Sequence, residues 1–334
     1  MTQILITGGG GFIGARLART LLSRATASGQ TLSLTLTDQY PVPSDLTQDP
    51  RVRAVIGPLG EQGALFASGF DQVFHLASAV SGECEADFEL GLRSNLDGTR
   101  LLLEGLRRAG NVPRLVFSSS IAVYGPDPGL AMPEPVSDNS LPAPQTSYGT
   151  HKLMCEYLIA DYTRKGYLDG RSARLMTVAV RPGKPNGAAS SFFSGIIREP
   201  LAGVEAVCPV DLDVAHPVAS PASTVDSLIG LMAVPRERLP RRLAINLPAV
   251  NVTVAQMLDA LETVAGPQVR ARVRFERDER IAAIVANWPR VASSETAREQ
   301  LGFAGDASFE AIVRQYIEDM RAAGLADTAL KGLA

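Results

Sequence analysis

Lysine is nearly missing from this chain. Of its 32 basic residues only four are lysine, at Lys152, Lys165, Lys184 and Lys331. Where arginine has taken the interchangeable surface positions, a remaining lysine marks a need for a compact ammonium with a shiftable pKa. Lys331, in the tail, is the bland exception. Cysteine is scarce too. Cys84, Cys155 and Cys208 are odd in number, widely spaced and form no C-x-x-C pair, which excludes a disulfide framework and a structural zinc and fits a reducing, cytoplasmic setting. The three histidines are scattered, and no His/Asp/Glu cluster points to a metal. An excess of one charge is also lacking. With 32 Lys+Arg against 35 Asp+Glu the net charge is −3, which argues against nucleic acid or an anionic membrane as partner. No apolar run reaches the roughly 20 residues of a membrane helix. The opening Met1-Thr2-Gln3-Ile4 has no basic segment ahead of an apolar one, so no secretory leader is expected.

What is present is globular material: 334 residues, 46% hydrophobic and 20% charged. At roughly 100–200 residues per domain, that length gives one large domain with an appended lobe, or two domains. Runs rich in β-branched residues alternate with helical spacing through the first half. Strands are expected at Ile4–Thr7, Thr31–Thr37, Val52–Ile56, Val73–Leu76, Arg114–Ser118 and Ala173–Val180, and helices at Phe12–Ala25, Ala86–Arg108 and Tyr148–Lys165. Such alternation predicts right-handed crossovers and a parallel sheet. From Pro182 to Ser223 the pattern turns irregular apart from a short helix near Phe192–Arg198. Helices follow at Thr224–Met232 and Val254–Ala265. Val269, Ala271, Val273 and Phe275 alternate with arginines as in a strand with one wet face.

Thr7-Gly8-Gly9-Gly10-Gly11-Phe12-Ile13-Gly14 stands between the first strand and the first helix. Gly8, Gly11 and Gly14 have the spacing G-x-x-G-x-x-G: one glycine for the turn, one for approach to a pyrophosphate, one for helix–strand packing. A glycine run alone is weak, but this one has the right flanks, and Asp38 closes the second strand 24 residues after Gly14. Asp38 can accept both ribose hydroxyls and repel a 2′-phosphate, which favours NAD over NADP.

Tyr148 and Lys152 lie four apart on one helix face, so the ammonium can stabilise the phenolate. Ser118-Ser119-Ser120 closes a strand at the carboxyl edge of the sheet. A serine there can hold a substrate oxygen while Tyr148 takes its proton.

These residues carry a resemblance. The Thr7–Gly14 turn, His75-Leu76-Ala77-Ser78-Ala79, Asn95-Leu96-Asp97-Gly98-Thr99, Phe117–Ser120 with Val123-Tyr124-Gly125, and Tyr148-Gly149-Thr150-His151-Lys152 together resemble the extended short-chain dehydrogenase/reductase family, best known for sugar-nucleotide epimerases. The resemblance implies Ser120, Tyr148 and Lys152 as a catalytic set with Asn95 as a fourth member. It also implies NAD held by Gly8, Gly11, Phe12, Ile13, Gly14, Asp38, Leu59 and Ala77, together with Tyr148 and Lys152. A homodimer pairing the helices Ala86–Arg108 and Tyr148–Lys165 is implied as well.

Departures sharpen the reading. The acidic adenine contact after the third strand is replaced by Gly57-Pro58-Leu59. Ile121 and Ala122 follow the catalytic serine where dehydratases need acids. After Arg181 the epimerase segment gives way to Pro182-Gly183-Lys184-Pro185-Asn186-Gly187-Ala188-Ala189-Ser190-Ser191, a plausible clamp for a small carboxylate. With His216-Pro217-Val218, this is similar to the D-erythronate dehydrogenase branch, whose members oxidise the C2 hydroxyl of a four-carbon sugar acid. The expected substrate ligands are Ser81, Ser120, Tyr148, Lys184, Asn186, Ser190, Ser191 and His216. The expected fold is α/β: a doubly wound Rossmann domain (1–181 plus 224–266) with a smaller C-terminal α/β substrate lobe (182–223 plus 267–334). A nucleotide-sugar 4-epimerase and a non-catalytic dinucleotide sensor remain the alternatives.

Overall fold

The structure, a computed structural model, describes residues 1–183 and 189–333. Six of the early apolar runs form strands: β1 (Thr2–Thr7), β2 (Leu32–Asp38), β3 (Val52–Ile56), β4 (Gln72–His75), β5 (Arg114–Ser120) and β6 (Asp169–Leu175). A later strand, β10 (Ile245–Asn246), joins them in a seven-stranded sheet of order β10-β6-β5-β4-β1-β2-β3. The pairings of β1 with β2 and β4, of β2 with β3, and of β4 with β5 are all parallel. Leu5, Ile6, Val73 and Phe74 have no exposed surface, as expected of parallel strands covered on both faces. The order reverses between β1 and β4, the place where open α/β sheets bind ligands beyond their carboxyl ends.

Two smaller sheets complete the strand set: β11 (Val250–Thr253), β9 (Ala215–Ala219) and β7 (Thr177–Val178) in one, β12 (Val273–Phe275) and β8 (Ala206–Cys208) in the other. The residues group into two compact units. The first holds Met1–Val123, Thr146–Arg174 and Val225–Ile245; the second holds Tyr124–Gln145, Leu175–Thr224 and Asn246–Ala334. Leu5, Phe66, Val73, Leu102, Leu115 and Phe117 pack in the first. Phe193, Ile196, Val218, Met257, Leu261 and Ile312 pack in the second.

These units differ from the expected domain limits in three places, the first being the stretch 175–181, which goes with the second unit. The helix Val254–Ala265 goes with the second unit, because Val254, Met257, Leu258 and Leu261 are buried in that core. Residues 124–145 go there as well. The segment 225–245 does return to the first unit. Arg171 donates to the Leu231 and Met232 carbonyls at 2.6 and 2.9 Å, and Arg114 to Met232 at 2.8 Å, closing the C-terminal end of the helix Pro221–Ala233.

Three local expectations are corrected. Ala86–Arg108 is not one helix: Asp87 is extended and caps Leu90, and a π-helical segment, Leu92–Asp97, precedes the regular helix Gly98–Ala109. Residues 173–180 are split between β6 and β7, in different sheets. Val269 lies on a helical turn, Pro267–Arg270, which Gly266 (φ 88°) and a proline at its start impose, so only Val273–Phe275 is strand.

Candidate active site

The glycine-rich turn leaves β1 and enters the helix Phe12–Ser28. Gly8 has φ 74°, and a Cβ there would lie 2.8 Å from the Ala77 amide nitrogen. A Cβ on Gly14 would fall 2.1 Å from the Gly8 carbonyl oxygen, so this contact admits no side chain. Gly11 stands at the N-cap, no side chain caps the helix, and its first turn holds no acidic residue. Phe12, Ile13 and Gly14 therefore present a helix start open to an anion, which fits a pyrophosphate. Asp38 accepts the Gly10 and Tyr40 amides, each at 3.0 Å, which fixes its carboxylate beside the turn while lone pairs remain for a ribose diol. Leu59 packs against Gly98, where a Cβ would meet it at 2.8 Å.

At the end of β5 the three serines do three different things. The Ser118 hydroxyl donates to the His75 carbonyl at 3.1 Å, and its own carbonyl accepts the Lys152 ammonium at 2.7 Å. Ser119 donates to Glu156, a buried carboxylate held by Arg174 through Nε at 2.9 Å and Nη2 at 2.7 Å. The Ser120 hydroxyl accepts the Ala122 amide at 3.1 Å and lies close enough to Tyr148 to favour its ionised form. The helix Ser147–Arg164 is set at its start by Thr146, which caps Gly149, and by Glu85, which accepts the Ser147 amide at 2.8 Å.

Lys152 Nζ lies 4.8 Å from the centre of the Phe117 ring and 5.4 Å from that of Tyr148. Burial pushes the Lys152 ammonium down to about 8, against the opposing pull of Cys155, Cys84 and Glu156. Burial likewise pushes the Tyr148 phenol up to about 12, with Ser120 pulling the other way. The expected lowering of the phenol by the lysine is not seen: burial sets the shift, and Ser120 is the group that opposes it. The Asn95 side chain is fully engaged: Oδ1 accepts the Ala79 amide at 2.7 Å, and Nδ2 donates to the Ala79 carbonyl and to Cys84 Sγ. It holds the 76–79 segment rather than Lys152.

Ser81 opens the short helix Ser81–Ala86 in the first unit and is half-buried. Ser190, Ser191 and His216 belong to the second unit. Ser190 precedes the helix Ser191–Leu201 without capping it through its side chain. His216 is corrected. It is 2% exposed, Nε2 meets Thr177 Oγ1 at 2.7 Å, Nδ1 meets the Pro289 carbonyl at 3.1 Å, and the ring stacks on Phe193 with Trp288 alongside. No ring nitrogen is left for a substrate. Lys184 and Asn186 lie outside the described residues.

The sequence reading passed over several groups. Glu156 and Arg174 carry no local signal, because their pairing joins a helix to a strand 18 residues on. Arg181 opens the unusual loop motif. It is half-buried, burial and the neighbouring Arg198 guanidinium push its pKa down, and no carboxylate of the described residues pairs with it.

Residues 4–214 match the NAD dependent epimerase/dehydratase family. The chain belongs to that family. As a member of the NAD dependent epimerase/dehydratase family it is an enzyme of the extended short-chain dehydrogenase/reductase type, and NAD is its cofactor. Among relatives, the D-erythronate dehydrogenase of Cupriavidus necator is 48% identical over 332 residues, covering 97% of this chain and 99% of that protein. The D-erythronate dehydrogenase of Haemophilus influenzae is 41% identical over 324 residues, covering 95% and 99%. A solved structure described as the nucleoside-diphosphate-sugar epimerase from Agrobacterium tumefaciens superposes with a TM-score of 0.90 at 40% identity, covering 97% and 96%. No helix of the described residues is long and apolar enough to cross a membrane.

Proposed function

We propose that this enzyme is a D-erythronate dehydrogenase, oxidising the C2 hydroxyl of a four-carbon sugar acid to the 2-oxo acid. The observation that carries the reading is 48% and 41% identity to two such dehydrogenases over nearly the whole chain, joined to a Ser120–Tyr148–Lys152 grouping able to handle an alcohol proton. Ser120 holds the substrate oxygen. Tyr148 takes its proton, and the Lys152 ammonium offsets the negative charge left on the phenol. NAD, when bound, supplies the hydride acceptor. Gly8, Gly11, Phe12, Ile13, Gly14 and Ala77 hold the diphosphate side, Asp38 selects NAD over NADP, and Leu59 lies along the adenine. We assign the substrate carboxylate to Lys184, Asn186, Ser190 and Ser191 on the chemistry of their side chains, and Ser81 to a substrate hydroxyl.

The epimerase name of the Agrobacterium structure favours a second reading, nucleotide-sugar epimerisation. The 48% and 41% identity to two D-erythronate dehydrogenases over nearly the whole chain opposes it.

We also propose a homodimer through the helix Ser147–Arg164, where Met154 and Tyr157, three residues apart on one face, are 44% and 53% exposed. Light scattering of the purified protein tests it. Its three cysteines are free and buried, which suits a reducing compartment.

The deciding experiment follows reduced nicotinamide when the enzyme meets NAD and a panel of C4–C6 sugar acids. Turnover with D-erythronate is expected, falling by about 10³-fold in Tyr148→Phe with NAD binding retained. Silence on the panel with interconversion of a nucleotide sugar would install the epimerase reading. NAD binding with no turnover of either class would point to a sensor.

A further inference from the structure

His75 ends β4 without exposed surface, and each ring nitrogen meets a threonine hydroxyl: Nδ1 lies 2.7 Å from Thr7 Oγ1, Nε2 2.8 Å from Thr99 Oγ1. Counting donors fixes the direction of the run. The Thr7 hydroxyl oxygen accepts the Ala77 amide at 3.2 Å and shares the Leu76 amide with the Thr7 carbonyl. Thr99 gives its one hydrogen to the Asn95 carbonyl, so Thr7 donates to Nδ1. Nε2 therefore carries the ring proton and donates to Thr99, whose hydroxyl donates onward to the Asn95 carbonyl at 2.6 Å. Burial, with the Lys152 cation nearby, pushes His75 down to about 3, so the ring is neutral across the working range. A second ring proton would face the Thr7 hydrogen and break the run.

The segments so joined are far apart in sequence. Thr7 is the residue before the glycine-rich turn, and the turn's Gly8 has its backbone against Ala77. Asn95 grips Ala79 by both amide and carbonyl. The His75 carbonyl accepts Ser118, which in turn accepts Lys152. A leucine would fill much of the same space, so packing alone does not call for an imidazole.

We propose that His75, held as the Nε2–H tautomer, is a positioning residue that locks the glycine-rich turn and segment 76–79 into the register that holds NAD. This rests on the reading that the turn is where NAD binds. The test is direct titration of NAD into the intact enzyme, with thermal unfolding of the ligand-free protein alongside. His75→Leu removes both links. His75→Asn keeps an acceptor near Nδ1, and His75→Gln keeps a donor near Nε2. The expected result is a folded His75→Leu protein whose Kd for NAD rises at least tenfold, with KM for NAD moving more than kcat and partial rescue by Asn or Gln. Thr7→Val and Thr99→Val should each weaken NAD binding, and the double variant should be no weaker than the worse single, because one broken link disables the run.

Wild-type affinity in a folded His75→Leu protein overturns the proposal, and so do multiplying losses in the threonine pair. If His75→Leu does not fold, the threonine cycle decides by itself. A wild type that binds NAD undisturbed by Gly14→Ala would overturn the underlying assignment of the turn, a result distinct from unchanged binding in the His75 set.

Discussion

His75 in the first unit and His216 in the second are both buried, both bonded through both ring nitrogens, and both pushed down by burial, to about 3 and about 4. Their surroundings differ. His75 sits in a run of hydroxyls and carbonyls that reaches Thr7, Asn95 and, through Ser118, Lys152. His216 lies between Phe193 and Trp288, and its two bonds close on Thr177 and Pro289. In the first unit buried polarity connects segments and stops short of Ser120, Tyr148 and the uncapped helix start, which stay open for chemistry. In the second unit the same kind of group is closed off inside the packing. Burial of a histidine is therefore no guide to function; what its partners go on to touch is.

The comparison breaks if the links of the first unit prove dispensable. Glu156→Ala leaves Arg174 buried without its carboxylate, and a loss of about 3–5 kcal/mol in denaturant unfolding is expected. Little change would mean that the serine strand and the Tyr148 helix are held by apolar packing alone. Gly14→Ala places a methyl group against the Gly8 carbonyl, which cannot yield without moving the turn. NAD affinity should fall about 100-fold, or ~2.7 kcal/mol, by calorimetric titration.

The smallest effect belongs to the second unit. The folded pKa of His216, about 4, lies below the ordinary 6.5, so between these values the unfolded chain binds a proton that the folded one refuses. The stability held by the neutral ring is complete above pH 6.5 and is lost as pH falls toward 4. The loss amounts to roughly 2 kcal/mol at pH 5. His216→Gln should flatten that acid limb of the unfolding curve while leaving turnover at pH 7 within about twofold. A large loss of turnover would reinstate His216 at the substrate.

Much of the candidate site was legible because its chemistry is local. Three glycines at fixed spacing, an aspartate at the end of the next strand, and a tyrosine and lysine four apart need no knowledge of distant packing. Ser120 was separable from Ser118 and Ser119 only through the family resemblance. The partners that divide them, His75, Lys152 and Glu156, come from other elements. The helix break at Asp87 was hidden because its cap competes with an otherwise continuous helical pattern. The unit boundary near Val254 was hidden because an amphipathic helix does not say which core its apolar face will meet.

The scarcity of lysine gives this enzyme an unusually quiet background for amine chemistry. Lys165 and Lys331 are exposed, whereas Lys152 is buried with its ammonium held near 8. A reagent that acylates free amines would label the exposed pair promptly and Lys152 only when the helix Ser147–Arg164 opens. Peptide mapping of so few sites turns one mass shift into a clock for the opening of the catalytic helix.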